Sequence, residues 1–389
     1  MNKKVWLASR AAAVGAHMAT EKLRPTEPRT VADVPSDGVS LTTEWLTAVL
    51  CAEVPGAQVV SWHSPGGSSG TSARAALRVT YNAAGQAACL PTQLFTKSTK
   101  DFSQRLLLGA VDCVHGETYF YLDYRPKIDM EAAVGYWGGV DDASWRSMIL
   151  MEDIAATRGA KFVDATERLT HEHVRDALSN LAAMHGTWWN SPALNKLKTP
   201  IDHYNNVADF IDMEGRCKVG LTRARRVIPD VLHPEADRLW EGTRASLQLL
   251  TEQTPTLLHG DSHVGQTYVT GDGRMGWTDW QVIERGNWAY DVAYFLGSAC
   301  DPDDRRAWER ELLEHYLQRL SDAGGDAPNF DDAWDSYRRS MFYPYSAWAM
   351  TIGRAWYQPK MQPEAVCLSI LHRLSTAIVD LDSFAVLGI

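Results

Sequence analysis

The sequence predicts an α+β protein of two lobes, an N-terminal lobe built on an antiparallel sheet and a mainly helical C-terminal lobe. Three observations predict it. Apolar stretches at residues 59–63, 75–81 and 93–97 alternate with period two and are separated by short turns, which is the pattern of hairpin-connected strands. From residue 170 onward, apolar residues recur at helical spacing instead. With 389 residues and 45% hydrophobic content, the chain can fill two cores around a cleft.

Taken in order, residues 1–40 read as an N-terminal extension and linker. Residues 1–25 are expected to form a peripheral helix or a loose extension. Lys3 and Lys4 followed by Val5-Trp6-Leu7-Ala8 faintly resemble a secretory leader, but Arg10 interrupts the apolar run and His17 follows, so a cytoplasmic location is expected. Residues 25–38 are rich in Pro, Thr and Asp and read as the linker. The N-lobe is expected over 41–152. It opens with helix-capping chemistry at Ser40-Leu41-Thr42-Thr43-Glu44 and a short helix carrying Trp45, Leu46, Val49 and Leu50. A strand, a Gly/Ser-rich turn at residues 64–72 and a second strand follow, and then a third strand ending at Lys97. Residues 114–121 read as a helix that holds Glu117, and residues 146–154 as an apolar strand turning acidic, the connector between lobes.

The C-lobe is expected over 153–389. Its first long helix starts at Thr170 and runs past His185, which reads as a satisfied core histidine. Residues 201–250 read as helical, with Arg223, Arg225 and Arg226 on a solvated face. The last third is helical by period and dense in aromatics, among them Trp348, Trp356 and Tyr357, and the whole chain carries 15 Trp.

Composition closes off several classes of function. A formal charge of -10 argues against a nucleic-acid partner. The six cysteines show no metal-binding spacing and read as free thiols. No stretch approaches the roughly 18 uncharged apolar residues of a membrane span.

The chemistry is concentrated in residues 259–281. Thr256-Leu257-Leu258 is short and apolar, so His259 is expected at the end of a buried strand. His259, Asp261, His263 and Gln266 then fall within eight residues, Gly271-Asp272-Gly273 supplies a hairpin turn, and Asp279 returns between Trp277 and Trp280. A hairpin that folds Asp279 back beside Asp261 brings together two carboxylates able to share a divalent cation, which relieves their repulsion.

A His, one residue, an Asp, four residues and an amide is the layout of a protein-kinase catalytic loop, and Asp279-Trp280-Gln281 stands where such enzymes carry their metal-binding Asp. The H-G-D-x-H form with D-W downstream resembles the aminoglycoside phosphotransferase and choline kinase family of small-molecule phosphotransferases, closest to its ecdysteroid kinase-like branch. The resemblance implies a bilobal protein-kinase-like fold and an ATP- or GTP-dependent kinase that uses Mg2+. Asp261 would take the acceptor hydroxyl proton, with His259 and His263 supporting the loop on either side. Gln266 and Asp279 would hold the metal, and Asp291 would cap its helix and brace the loop. Lys97, paired with Glu117, would contact the nucleotide phosphates under a turn containing Gly67, Ser68 and Ser69. Residues 150–152, with Leu150 and Glu152, would offer backbone to the adenine edge.

Gln266 departs from the family pattern, which has Asn. Gln keeps the carbonyl but is one methylene longer, and Mg2+ demands near-octahedral geometry, so a catalytically attenuated, ligand-binding pseudokinase stays open as an alternative. A second alternative reads His259, Asp261 and His263 as ligands of a hydrolytic metal centre. The expected partner is a small hydroxylated acceptor, and the Trp- and Tyr-rich C-terminal third suits an apolar one.

Overall fold

Small and branched apolar residues at every second position give residues 73–81 one inward face, with Ala75, Leu77, Val79 and Tyr81 buried. That face seeds the core of a five-stranded antiparallel sheet in a computed structural model, which describes residues 3–70, 72–358 and 360–389. The chain divides into two compact units. The first holds the chain up to Lys127 together with Ala132–Ala160; the second holds Ile128–Glu131 and Lys161–Ile389. The boundary therefore falls after Ala160 rather than after Glu152, and a four-residue segment of the expected N-lobe belongs to the second unit.

In the first unit, α1 (Lys3–Leu23) and α2 (Thr43–Leu50) precede β1 (Val59–Ser69), β2 (Ala73–Tyr81) and β3 (Gln93–Ser98). Next come α3 (Phe102–Ala110), β4 (Gly135–Asp141) and β5 (Arg146–Glu152), in sheet order β1-β2-β3-β5-β4. Thr42 caps α2 by accepting the Trp45 N–H, and Trp45, Leu46 and Leu50 pack with Leu77, Val79, Leu94 and Leu150. The N-terminal helix is no loose extension: the buried Arg105 guanidinium holds both Glu21 oxygens, at 3.0 and 2.8 Å.

Two expectations for this sheet are corrected. Gly67, Ser68 and Ser69 lie in β1, opposite Ala75, Arg74 and Ala73, so the strand runs on through most of the expected turn; Thr71 lies outside the described residues. The pairing demands glycine at position 67, since a Cβ there would sit 2.3 Å from the Arg74 carbonyl oxygen. Leu150 is fully buried in the middle of β5, between Thr96 of β3 and Trp137 of β4, and cannot offer its backbone to a ligand. Glu152 pairs with Arg158 at 2.6 Å and accepts from the Thr157 hydroxyl at 2.6 Å.

The second unit is helical around small strands: α4 (His171–Thr187), α5 (Pro200–Ile211), α6 (Met213–Arg223) and α7 (Ala236–Glu252), then β6 (Thr256–Leu258), β7 (Thr267–Val269), β8 (Met275–Trp277) and β9 (Glu284–Gly286). It closes with α8 (Ala289–Ala299), α9 (Pro302–Asp322), α10 (Phe330–Arg339), α11 (Phe342–Ile352) and α12 (Glu364–Asp380). β6 pairs with β9, and β7 with β8. Residues 128–131 are clipped onto the β7–β8 hairpin, where Glu131 accepts from the Tyr268 hydroxyl at 2.9 Å and meets Arg274 at 2.7 Å. Among the described residues all six cysteines are free, five buried and Cys89 exposed, and no helix is long and apolar enough to cross a membrane.

Candidate active site

Three consecutive buried residues, Thr256, Leu257 and Leu258, form β6 and carry the chain to the site. Beyond them Gly260 turns with φ +81°, and a Cβ there would lie 1.9 Å from the Val282 carbonyl oxygen. The loop backbone is held from below by one carboxylate. Asp291, wholly buried, accepts the His259 N–H at 2.6 Å and the Gly260 N–H at 3.1 Å. His185 donates from Nε2 to the same carboxylate at 3.1 Å, and its Nδ1 meets the Tyr316 hydroxyl at 2.7 Å. Burial alone would raise the Asp291 pKa, but the His185 hydrogen bond and the neighbouring His185 and His259 outweigh it and hold the group below the usual carboxylate range.

This corrects part of the expectation for Asp291. It sits within the first turn of α8 rather than capping it; Asn287 Oδ1 accepts the Ala289 N–H at 2.9 Å instead. His185 is the satisfied core histidine expected, and it also orients Asp291.

His259 is a fully buried brace. Its Nε2 donates to the Thr278 carbonyl at 2.9 Å, its Nδ1 accepts the Asp261 N–H at 3.3 Å, and its ring lies 4.5 Å from that of Trp280. His263 caps the Val264–Gln266 turn, Nδ1 accepting the Gly265 N–H at 3.0 Å, which leaves the hydrogen on Nε2, 3.7 Å from Asp261 Oδ2. With both His259 nitrogens engaged, the hydrolytic alternative loses a ligand. Among the described residues no three His, Cys, Asp or Glu side chains converge as a metal cluster.

Asp261 Oδ2 accepts from Gln266 Nε2 at 3.0 Å. A carboxylate can only accept, so the amide nitrogen must face it and the Gln266 oxygen is left for another partner. The Gln266 carbonyl in turn accepts the Thr278 N–H at 2.9 Å, extending the β7–β8 pairing by one step, and Asp279 follows at once in a left-handed conformation with φ 63°. Both Asp261 and Asp279 lie close enough to His263 to raise its basicity; burial, the larger influence, and His259 push the other way and leave it below the ordinary histidine value. The hairpin thus brings Asp261, His263 and Gln266 together, with Asp279 near enough for its charge to act on His263.

In the first unit, Lys97 Nζ meets Glu117 Oε1 at 3.0 Å, with side chains only 6% and 12% exposed. Glu117 stands on a single helical turn, Gly116–Tyr119, that continues into a π-helical turn, Phe120–Tyr124.

A family model described as the phosphotransferase enzyme family matches residues 117–339, more than half of the chain. The chain belongs to the phosphotransferase enzyme family. Its architecture is an antiparallel sheet followed by a mainly helical remainder. Among solved structures, the chain is similar to a choline/ethanolamine kinase family protein from Mesorhizobium loti, at 14% identity over 88% of this chain and 96% of that one, TM-score 0.45. It is also similar to a macrolide 2'-phosphotransferase from Brachybacterium faecium, at 15% identity over 84% and 98%, TM-score 0.42, and to a choline kinase from Streptococcus pneumoniae, at 13% over 83% and 94%, TM-score 0.42. No curated protein matches the chain.

The candidate site contains residues that motif reading missed. Tyr290 donates to the Gly260 carbonyl at 3.1 Å. Tyr294, one turn along the same face of α8, is buried against Asp261; burial first and then that negative charge push its phenol well above the ordinary value, so it stays protonated. Trp348 of α11 stands edge-on to His263, with ring centroids 5.1 Å apart. The signal available was the i, i+4 spacing of Tyr290 and Tyr294 on either side of Asp291.

Proposed function

We propose that this phosphotransferase transfers the γ-phosphoryl group of ATP or GTP to a hydroxyl of a small acceptor with an apolar or aromatic-compatible body. The observation that carries the reading is the Gln266–Asp261 hydrogen bond on a loop whose backbone N–H groups are fixed by buried Asp291. It gives a carboxylate one orientation before any substrate arrives, and phosphoryl transfer depends chiefly on placement and electrostatics.

Asp261, about a third exposed, is the group that accepts or orients the acceptor hydroxyl proton. His263 carries hydrogen on the nitrogen nearer Asp261, so it supports that carboxylate electrostatically and is not itself the base. Lys97, aimed by Glu117, neutralises the phosphate tail. The donors beside Asp261 suit a hard divalent cation, since the Asp279 carboxylate and the free end of the Gln266 amide are both oxygen ligands. These two residues would hold Mg2+, which would supply positive charge against the phosphate oxygens. Trp348, Tyr294 and Tyr290 supply apolar and aromatic surface next to Asp261, in keeping with an acceptor of apolar body.

Incubation of the purified chain with Mg2+ and ATP or GTP against a panel of hydroxylated metabolites tests this reading. The expected result is a product heavier by one phosphoryl group, lost in Asp261→Asn. Nucleotide turnover that survives Asp261→Asn unchanged would refute the assignment.

A further inference from the structure

One buried acid in the second unit is not used by this scheme. Glu284 stands in β9 directly opposite Leu258, the residue that precedes the catalytic loop, and is 1% exposed. Among the described residues neither of its carboxylate oxygens has a hydrogen-bond partner. His203 of α5 faces it, with Nδ1 3.4 Å from Oε1, beyond good hydrogen-bond length, and likewise unsatisfied. A fold does not gain from this arrangement. A buried, unpaired acid costs several kcal/mol relative to an apolar residue of similar size, and α5 could pack an apolar residue there.

Resting on the phosphotransferase reading above, we propose that Glu284 and His203 form a subsite that binds a second, uncharged oxygen group of the acceptor, a hydroxyl beside the one that is phosphorylated. Three unsatisfied polar atoms at one place match the donor and acceptor capacity of a hydroxyl. The position fits an acceptor bound at Asp261, because Glu284 faces Leu258 on the strand that runs into the loop, three residues before Asp261. The side of α5 that carries His203 is open at its edge: His203 is 12% exposed, and Phe210, two turns on, is 46% exposed, a route for the apolar remainder of the molecule.

The electrical state of the pair selects a neutral group over an ammonium. Burial, reinforced by Asp291, Asp202 and Asp261 and opposed by Lys198, pushes Glu284 well above the usual carboxylate range. Burial, followed by Lys198, pushes His203 down to about 3. Both influences favour the uncharged forms, a carboxylic acid beside a neutral imidazole. Gln is then a close mimic of Glu284, whereas Leu fills the space without polar atoms.

The experiment has two arms. In the first, melting temperatures of the full-length wild type, Glu284→Gln and Glu284→Leu are compared at pH 7; Glu284→Leu should melt higher, by about 3 °C or more, whereas Glu284→Gln, which keeps the unsatisfied polar atoms, should melt close to wild type. A lower melting temperature for Glu284→Leu would show that Glu284 is paired for stability and would overturn the proposal. In the second, crystals are soaked with ethylene glycol or with methylammonium, and the former should place a hydroxyl within hydrogen-bond distance of Glu284 and His203. Methylammonium bound in its place, or neither probe bound, overturns the proposal, and this arm needs no catalysis. With any acceptor found to be phosphorylated, Glu284→Leu should raise the acceptor KM about tenfold with little change in kcat, and Glu284→Gln should restore it to within about threefold. If no acceptor is phosphorylated while ethylene glycol binds, the phosphotransferase reading fails and the subsite stands.

Discussion

Replacing Asp291 with Ala tests whether the catalytic loop is held as described. The carboxylate is wholly buried and accepts from the His259 N–H, the Gly260 N–H and His185 Nε2 at 2.6, 3.1 and 3.1 Å. Removing it strands three donors in a site with no water access. Each unsatisfied donor costs about 1–3 kcal/mol, and breaking one partner of a buried charged network typically costs about 3–5 kcal/mol in all. A loss of about 4 kcal/mol corresponds to a melting temperature lower by roughly 8–16 °C for a unit of this size. Asp303→Ala, which removes an exposed partner of Arg306, serves as the control and should leave the melt nearly unchanged. Asp291→Asn should fall between, because one amide oxygen remains while the NH2 group faces a donor. The sign with pH follows from the lowered folded-state pKa: the stabilisation is fully present above about pH 4, the unfolded value, and is lost as pH falls through the folded one. The advantage of wild type over Asp291→Asn should therefore narrow below pH 4. An Asp291→Ala protein that melts within 2 °C of the Asp303→Ala control, by the about 2–4 °C per kcal/mol used above, would refute the account.

Three further outcomes are expected. Gln266→Asn shortens the side chain by one methylene and should break its 3.0 Å bond to Asp261, lowering kcat about tenfold in the product assay; faster turnover would instead mark Gln266 as the cause of an attenuated enzyme. Glu117→Gln should leave Lys97 poorly aimed and raise the nucleotide KM about tenfold while leaving the acceptor KM in place. Glu21→Ala should strip the buried Arg105 guanidinium of a bidentate partner, costing about 3 kcal/mol and making the Lys3–Leu23 helix the first site cut by limited proteolysis.

What the sequence made legible follows the range over which its signals act. The catalytic loop and its hairpin could be read because the chemistry is packed into 23 consecutive residues, with Gly260, Gly271 and Gly273 dictating the turns. The Lys97–Glu117 pairing was accessible only through family resemblance, since nothing local joins a strand residue to one on a later helical turn. Long-range closure was not legible: His185 meets Asp291 from 106 residues away, and period alone identifies a buried histidine without saying which group it will face. The Gly/Ser run at residues 64–72 failed for a different reason. Gly and Ser carry turn propensity because they lack a demanding side chain, and the same lack lets β1 run on through Gly67 where the Arg74 carbonyl comes too close for any Cβ.

Glu284 shows the same limit from the functional side. In sequence, Ile283-Glu284-Arg285 reads as an ordinary polar break after the D-W segment, and an exposed glutamate there needs no explanation. Only the pairing of β9 with β6 turns that side chain inward, and only the packing of α5 sets His203 across from it. A residue that destabilises its own fold leaves no trace in propensity or pattern, because its benefit appears only with the ligand bound. Unsatisfied buried polar atoms next to a catalytic loop are therefore where acceptor specificity should be sought, and in the second unit of this phosphotransferase they point to the strand beside β6 as well as to the aromatic wall of α11.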